Sequence, residues 1–284
     1  MHTKISDAEI NKMKELYEKG YSAASICKIV GYTPHTILDR LRAKGVQIRS
    51  RAGYIKPFNE NYFETIDTEK KAYFLGFLMA DGCVKTRECQ PCIAMQLKST
   101  DKYILEELKA ELKTDNTIEY NKKRNHSTLR VHSQKMADDL KKYGIVPRKT
   151  GKEKLPLKLL PNDMVRHFIR GFFDGDGWVT LTSSHGKRNK RLGVGFVGNV
   201  KMLTDIKKCF MKNLQSSFNA NPYVYDNNAK GYDGFAELIF YKLSDCVEIF
   251  KWLYKDATIF LSRKRDVFTN ASSLISNRLN QQPT

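Results

Sequence analysis

The chain has 284 residues, with 49 Lys and Arg against 31 Asp and Glu, a formal net charge of +18 and a pI near 9.5. A charge excess of this size gathers polyanions, so nucleic acid is the default partner, with a solvated ribosomal or membrane-surface face as the alternative. No stretch approaches the roughly 18 apolar residues of a membrane span and residues 1–7 hold no signal-peptide core. The six cysteines (Cys27, Cys83, Cys89, Cys92, Cys209, Cys246) lack a secreted disulfide rhythm. The expectation is therefore a soluble intracellular protein, with 41% apolar residues to build either two domains or one duplicated core with a small appendage.

Residues 7–20 read as a helix with Ile10, Met13, Leu16 and Tyr17 on one face, ended by Gly20. Ser22 caps a second helix that Gly31 ends, and Thr33-Pro34 opens a third, closed at Gly45. The segment from Gly20 to Leu41 is similar to resolvase-type helix-turn-helix modules, with 33–44 as the reading helix. Such a helix lays its first residues on base edges, which points to Thr33, His35, Thr36 and Arg40; the plainer reading is a three-helix packing unit. Arg49 and Arg51 follow in a basic segment suited to a minor groove, or are solvated linker charges. These elements divide the first part into a helix-turn-helix domain (1–45) and a linker (46–60). Cys89 and Cys92 have zinc spacing, but no second Cys or His pair joins them at finger or ribbon spacing.

Beyond residue 60 the chain repeats itself. AYFLGFLMADG (72–82) returns as HFIRGFFDGDG (167–177). Each copy is followed by two strands (Val84 and 93–97; 178–181 and 192–197) and an amphipathic helix near 101–113 or 201–214. Further strands at 128–132 and 235–241 lead into helices 134–143 and 244–254. Two αββαββα units result (61–155 and 156–284), an α+β architecture in which the repeats pack as one pseudo-symmetric body through the two copies of the repeated helix.

In those helices Gly76 and Ala80, and Gly171 and Gly175, share one face at helical spacing, so the backbones can touch. Buried packing explains everything except the ends. Both helices finish in Asp-Gly, placing Asp81 and Asp176 where the macrodipole is already negative, and bringing two such ends together adds repulsion. A bound cation reverses that sign. Hard oxygen donors from Asp81, Asp176 and the carbonyls of Ala80 and Gly175 suit Mg²⁺, which can assist an in-line phosphodiester displacement.

FLGFLMADG (74–82) and IRGFFDGDG (169–177) resemble the paired motifs of the LAGLIDADG homing endonucleases, over about residues 60–270. Met79 and Arg170 depart from the consensus at positions the family varies freely. The resemblance implies a metal-dependent, site-specific double-strand DNA endonuclease, active as a monomer on a long asymmetric target, with Asp81 and Asp176 as metal-binding acids. Mg²⁺ is the implied cofactor, and Ca²⁺ is expected to support binding without cleavage. It also implies a basic residue near the end of each repeat, carried here by Lys149 and Lys264, which neutralise developing charge or simply touch a phosphate. Ser99 and Asn199, at the ends of the second strands, are candidates for ordering a water network.

The same resemblance implies a saddle of β-strands along the major groove. Candidate base contacts are Lys85, Arg87, Gln96 and Lys98 in the first repeat, and Thr180, Thr182, Arg191, Tyr223, Tyr225 and Tyr241 in the second. Relatives that keep the fold as regulators, or act as maturases on intron RNA, supply the rival readings. A bacterial or phage-infected cytoplasm is expected rather than an organelle.

Overall fold

The computed structural model describes residues 5–48, 58–86, 91–149, 151–183, 190–215, 218–221, 223–224 and 235–279. Three helices come first: α1 (Asp7–Glu18), α2 (Ala23–Val30) and α3 (Pro34–Ala43). Each start is set by a side-chain cap. Ser6 and Glu9 form a reciprocal capping box, and Ser22 and Thr33 accept from Ser25 and Thr36 backbone N–H groups. Gly31 ends α2 with φ 79°, a left-handed conformation open to glycine without a Cβ clash. Met13, Tyr17, Ile26, Ile37 and Leu41 close a core of their own.

The body repeats one order of elements. The first copy runs α4 (Glu69–Asp81), β1 (Gly82–Lys85), β2 (Cys92–Lys98), α5 (Lys102–Glu111), β3 (Glu119–Asn121), β4 (His126–His132) and α6 (Gln134–Lys142). The second runs α7 (Val165–Asp176), β5 (Gly177–Ser183), β6 (Lys190–Asn199), α8 (Val200–Asn213), β7 (Tyr223–Val224), β8 (Phe235–Phe240) and α9 (Leu243–Tyr254), followed by α10 (Ser262–Leu279). The two antiparallel sheets have matching orders, β1-β2-β4-β3 and β5-β6-β8-β7. This is the expected α+β duplication, with one addition. Helix α10 lies outside that expectation, because its sequence is polar and, among its described side chains, only Lys264, Phe268 and Ala271 are buried.

One continuous core runs under both sheets. In the first repeat it is built largely from Leu, Ile and Met around α4; in the second it is more aromatic, with Phe173, Phe196, Phe210, Phe240 and Phe268 all buried. Phe250 stacks on Phe268 (4.8 Å, 19°) and fastens α10 to α9. Each fully buried side chain of this size contributes about 1.5–3 kcal/mol.

The body is centred on α4 against α7. A Cβ at Gly76 would lie 2.0 Å from the Phe168 carbonyl oxygen, and one at Gly171 would lie 1.9 Å from that of Tyr73. The helices therefore touch backbone to backbone, which only glycine permits. That contact draws the two helix C-termini side by side.

Candidate active site

Each motif helix turns into its strand without a loop. Gly82 and Gly177 follow the acids directly, in extended conformation, and their N–H groups close on the Leu78 and Phe173 carbonyls. Asp81 and Asp176 are thereby fixed at adjoining helix ends, and a Cβ built on Gly175 would sit 2.3 Å from Ala80 Cβ and 3.4 Å from Asp81 Oδ2. Among the described residues neither carboxylate closes a salt bridge or a hydrogen bond of its own. Asp81 is exposed to solvent and Asp176 is half-buried. Loss of surrounding water, then the charge of Asp81, pushes Asp176 up to about 7. The same loss of water raises Asp81, against the opposing pull of Lys264 and Lys149. Two acids that resist ionising together are an electrostatic fault that a cation repairs.

Both carried-over lysines lie beside these helix ends and are buried, 8% exposed for Lys149 and 5% for Lys264. Lys149 Nζ donates to the Ala80 carbonyl at 2.6 Å. Lys264 Nζ donates to the carbonyls of Phe173 (2.6 Å), Asp174 (2.8 Å) and Gly177. Each ammonium thus caps the negative end of a motif helix. Burial lowers the pKa of both, Lys264 to about 8, while the acids facing them pull the other way. The Ala80 carbonyl, expected as a metal donor, carries the Lys149 ammonium here.

A second set of polar groups, buried except for half-buried Glu69, fixes the helix pair. Arg170 donates to the Ile259 carbonyl (3.0 Å), the Leu253 carbonyl (2.8 Å) and Glu69 (2.6 Å), and bonds His167 Nδ1 at 2.8 Å. Asp174 accepts from the Tyr73 hydroxyl (2.8 Å) and the Leu261 N–H (2.7 Å). Sequence reasoning treats Arg170 as a neutral variation and passes over Asp174; i,i+4 spacing on a helix otherwise apolar is the available signal.

Several of the expected site residues are already engaged within the fold. Asn199 caps α8, accepting from Met202 N–H at 2.9 Å, and its amide donates to Glu153, so much of its hydrogen-bonding capacity is used within the fold. Ser99, the other water-network candidate, is half-buried and accepts from Ser127 Oγ at 3.3 Å. In α3, Thr33 and Thr36 bond one another at 2.9 Å in the cap, so their hydroxyls are turned to the helix end. His35, paired with Asp39 at 2.9 Å, and Arg40 are exposed, as is Thr33, while Thr36 is half-buried.

The outward faces of the sheets hold most of the other candidates. Lys85, Gln96 and Lys98 are exposed on the first; Thr180, Thr182, Arg191, Tyr223 and Tyr241 on the second, where the Arg191 guanidinium lies 3.8 Å over the Tyr241 ring. Arg49, Arg51, Arg87 and Tyr225 lie outside the described residues, as does Cys89; Cys92 is buried in β2. Missed were half-buried His126 and Arg130, with buried Thr128 between them on the same face of β4, in register with Lys98, Ala94 and Gln96 respectively. They line a polar groove with Tyr120, Lys122 and Arg124. The period-two pattern of β4 contained this signal.

This geometry has solved counterparts. The LAGLIDADG meganuclease I-AabMI bound to uncleaved DNA is similar over 72% of this chain and 91% of its own, at 16% identity and a TM-score of 0.50. The LAGLIDADG homing endonuclease I-GzeII in complex with its DNA target matches over 74% and 92%, at 14% identity and a TM-score of 0.52.

The body has the LAGLIDADG homing endonuclease fold.

A third example, the LAGLIDADG endonuclease I-LtrWI bound to target DNA, is 12% identical over 77% of this chain and 92% of its own, with a TM-score of 0.52. Ahead of the LAGLIDADG body, residues 3–47 match the helix-turn-helix domain of resolvase. A stretch of 244 residues is 24% identical to the glutamine–fructose-6-phosphate aminotransferase (isomerizing) of Methanocaldococcus jannaschii. That match takes in 75% of this chain but only 20% of that protein, so the chain spans about a fifth of the length of this curated relative.

Proposed function

We propose that the chain is a site-specific, divalent-metal-dependent DNA endonuclease that cuts both strands of a long asymmetric target, acting as a monomer in intron homing. One observation carries this reading: two acids whose ionisation the fold resists, at touching helix ends, each with a buried lysine on the adjoining carbonyls. The donor set fits Mg²⁺. Among the described residues no cluster of three or more His, Cys, Asp or Glu is present, so two carboxylates would hold the ion and leave its other positions to water and phosphate oxygens. When bound, the cation polarises the scissile phosphate and activates a water.

The remaining work falls to the chain itself. The strand faces and the excess positive charge hold the duplex across the motif helices. Asp81 and Asp176 orient what lies between them because Gly76 and Gly171 fix the helix pair. Lys149 and Lys264 bring two buried positive charges to the place where phosphorane charge develops. The helix-turn-helix extends the contact on one side of the target. The two repeats present unlike side chains, which fits an asymmetric site.

The test is digestion of DNA flanking the protein's own coding sequence, with Mg²⁺ and then with Ca²⁺, mapping any ends. A Mg²⁺-dependent cut in both strands, lost in Asp81→Asn and in Asp176→Asn while binding persists, is the expected result. Full cutting by either variant contradicts a shared metal centre, and binding without any cut makes the chain a regulator.

A further inference from the structure

Each lysine projects from a segment that is clasped by the opposite repeat. Lys149 and Glu153 lie on the connection from α6 to α7, and the Asn199 amide donates to the Glu153 carbonyl (2.8 Å) and carboxylate (3.0 Å) from the junction of β6 and α8. Lys264 opens α10, and the turn before it is held from the equivalent junction of β2 and α5. The Tyr103 hydroxyl accepts from Ser262 N–H (2.7 Å) and donates to the Phe260 carbonyl (3.1 Å), while Asp101, itself buried, accepts from Arg263 Nε at 3.0 Å.

We infer that Asn199 positions Lys149, and that Tyr103 with Asp101 positions Lys264, so that each half of the site depends on residues of both repeats. The inference rests on the endonuclease reading for what the lysines do, but the clasps stand on geometry alone. A lysine has four rotatable bonds and three donors, and its ammonium is useful as a fixed charge only where the backbone beneath it is fixed. The carbonyls at the helix ends hold the ammonium, and the clasps hold the main chain that carries it. The two halves are unequal. Among the described residues, Lys264 has three carbonyl acceptors and a turn that is also tied to Asp174, whereas Lys149 has one acceptor and one clasp. Asn199, Tyr103 and Asp101 are positioning residues.

The direct test is acetylation footprinting of the full chain, reading Lys149 and Lys264 separately by mass spectrometry in the absence of metal and DNA. Asn199→Ser keeps a capping hydroxyl for α8 but is too short to reach Glu153; Tyr103→Phe removes one hydroxyl and keeps the ring. The first is expected to speed acetylation of Lys149 roughly thirtyfold, as for the removal of two hydrogen bonds, and leave Lys264 unchanged; the second should do the reverse. Both lysines opening together in either variant, or neither opening, overturns the inference. Strand-resolved nicking of a plasmid carrying the flanking DNA is the second readout. Each variant should slow the cutting of a different strand, roughly ten- to a hundredfold for a displaced charge, and equal slowing of both strands counts against crossed positioning. If the unaltered chain leaves that plasmid intact, the endonuclease reading fails while the footprint still decides the clasps.

Discussion

Replacing Asp176 by Asn should stabilise the metal-free protein. Its carboxyl moves from 3.8 to about 7 on folding, first through lost hydration and then through Asp81. The folded chain therefore binds that proton more tightly than the unfolded chain does. Well below pH 4 both states are protonated and the group takes nothing from stability. Between about pH 4 and 7 the unfolded chain ionises while the folded chain holds its proton, so stability falls by up to roughly 4 kcal/mol and levels off above 7. Asn is neutral throughout and escapes this loss. Urea unfolding in a chelator should place Asp176→Asn above the parent by several kcal/mol at pH 8, and the gap should close near pH 4. Added Mg²⁺ should then raise the parent alone, since it binds the folded acids. A variant no more stable than the parent at pH 8, or a gap that persists at pH 4, would refute the electrostatic account of this site.

Gly171→Val should cost about 3 kcal/mol or more, read by thermal unfolding, because its Cβ falls 1.9 Å from a backbone oxygen that cannot move without parting the helices. Arg170→Met should cost about 3–5 kcal/mol by taking the counter-charge from half-buried Glu69 and the side-chain donor from the Leu253 and Ile259 carbonyls; adding Glu69→Gln should recover part of that loss in the same urea titration. Removal of residues 1–48 should weaken DNA binding and flatten its salt dependence by about 0.9 log unit for each phosphate that the shortened chain no longer neutralises, leaving cleavage intact. Loss of cleavage in that truncation would make the helix-turn-helix part of the catalytic assembly.

Much of this architecture is legible because duplication is visible in sequence. FLGFLMADG and IRGFFDGDG announce the helix pair, and period-two runs such as residues 192–197 announce the strands beside it. Capping chemistry places the first three helices, since Ser22, Thr33 and Gly31 act locally. What stays hidden depends on contacts between residues far apart in the chain. Asn199 reads as a polar strand end, and only the fold shows that its amide is spent on Glu153. Tyr103 gives no signal at all, because its partners stand at 260 and 262. Helix α10 escapes for a related reason: its side chains are mostly polar, and it is held through Phe268 on Phe250 rather than by an amphipathic stripe of its own.

The two motif helices are alike in backbone and unlike in what they bury. Where α4 has Leu75 and Met79, the matching positions of α7 carry Arg170 and Asp174, all four buried. Desolvating a charged pair seldom adds stability over apolar residues of equal volume, so the difference calls for a geometric reason. The segment bearing Lys149 runs into α7, which is held along its length in the helix interface. The segment bearing Lys264 runs into α10, which among its described side chains buries only Lys264, Phe268 and Ala271. That turn therefore needs ties of its own. Arg170 reaches Leu253 and Ile259, Glu69 reaches Thr258, and Asp174 reaches Leu261, so the polar groups of the helix pair converge on the stretch that sets Lys264. The charged residues inside α7 are thus explained by the lysine they hold in place, and the lack of counterparts inside α4 by a connection that the helix interface already secures.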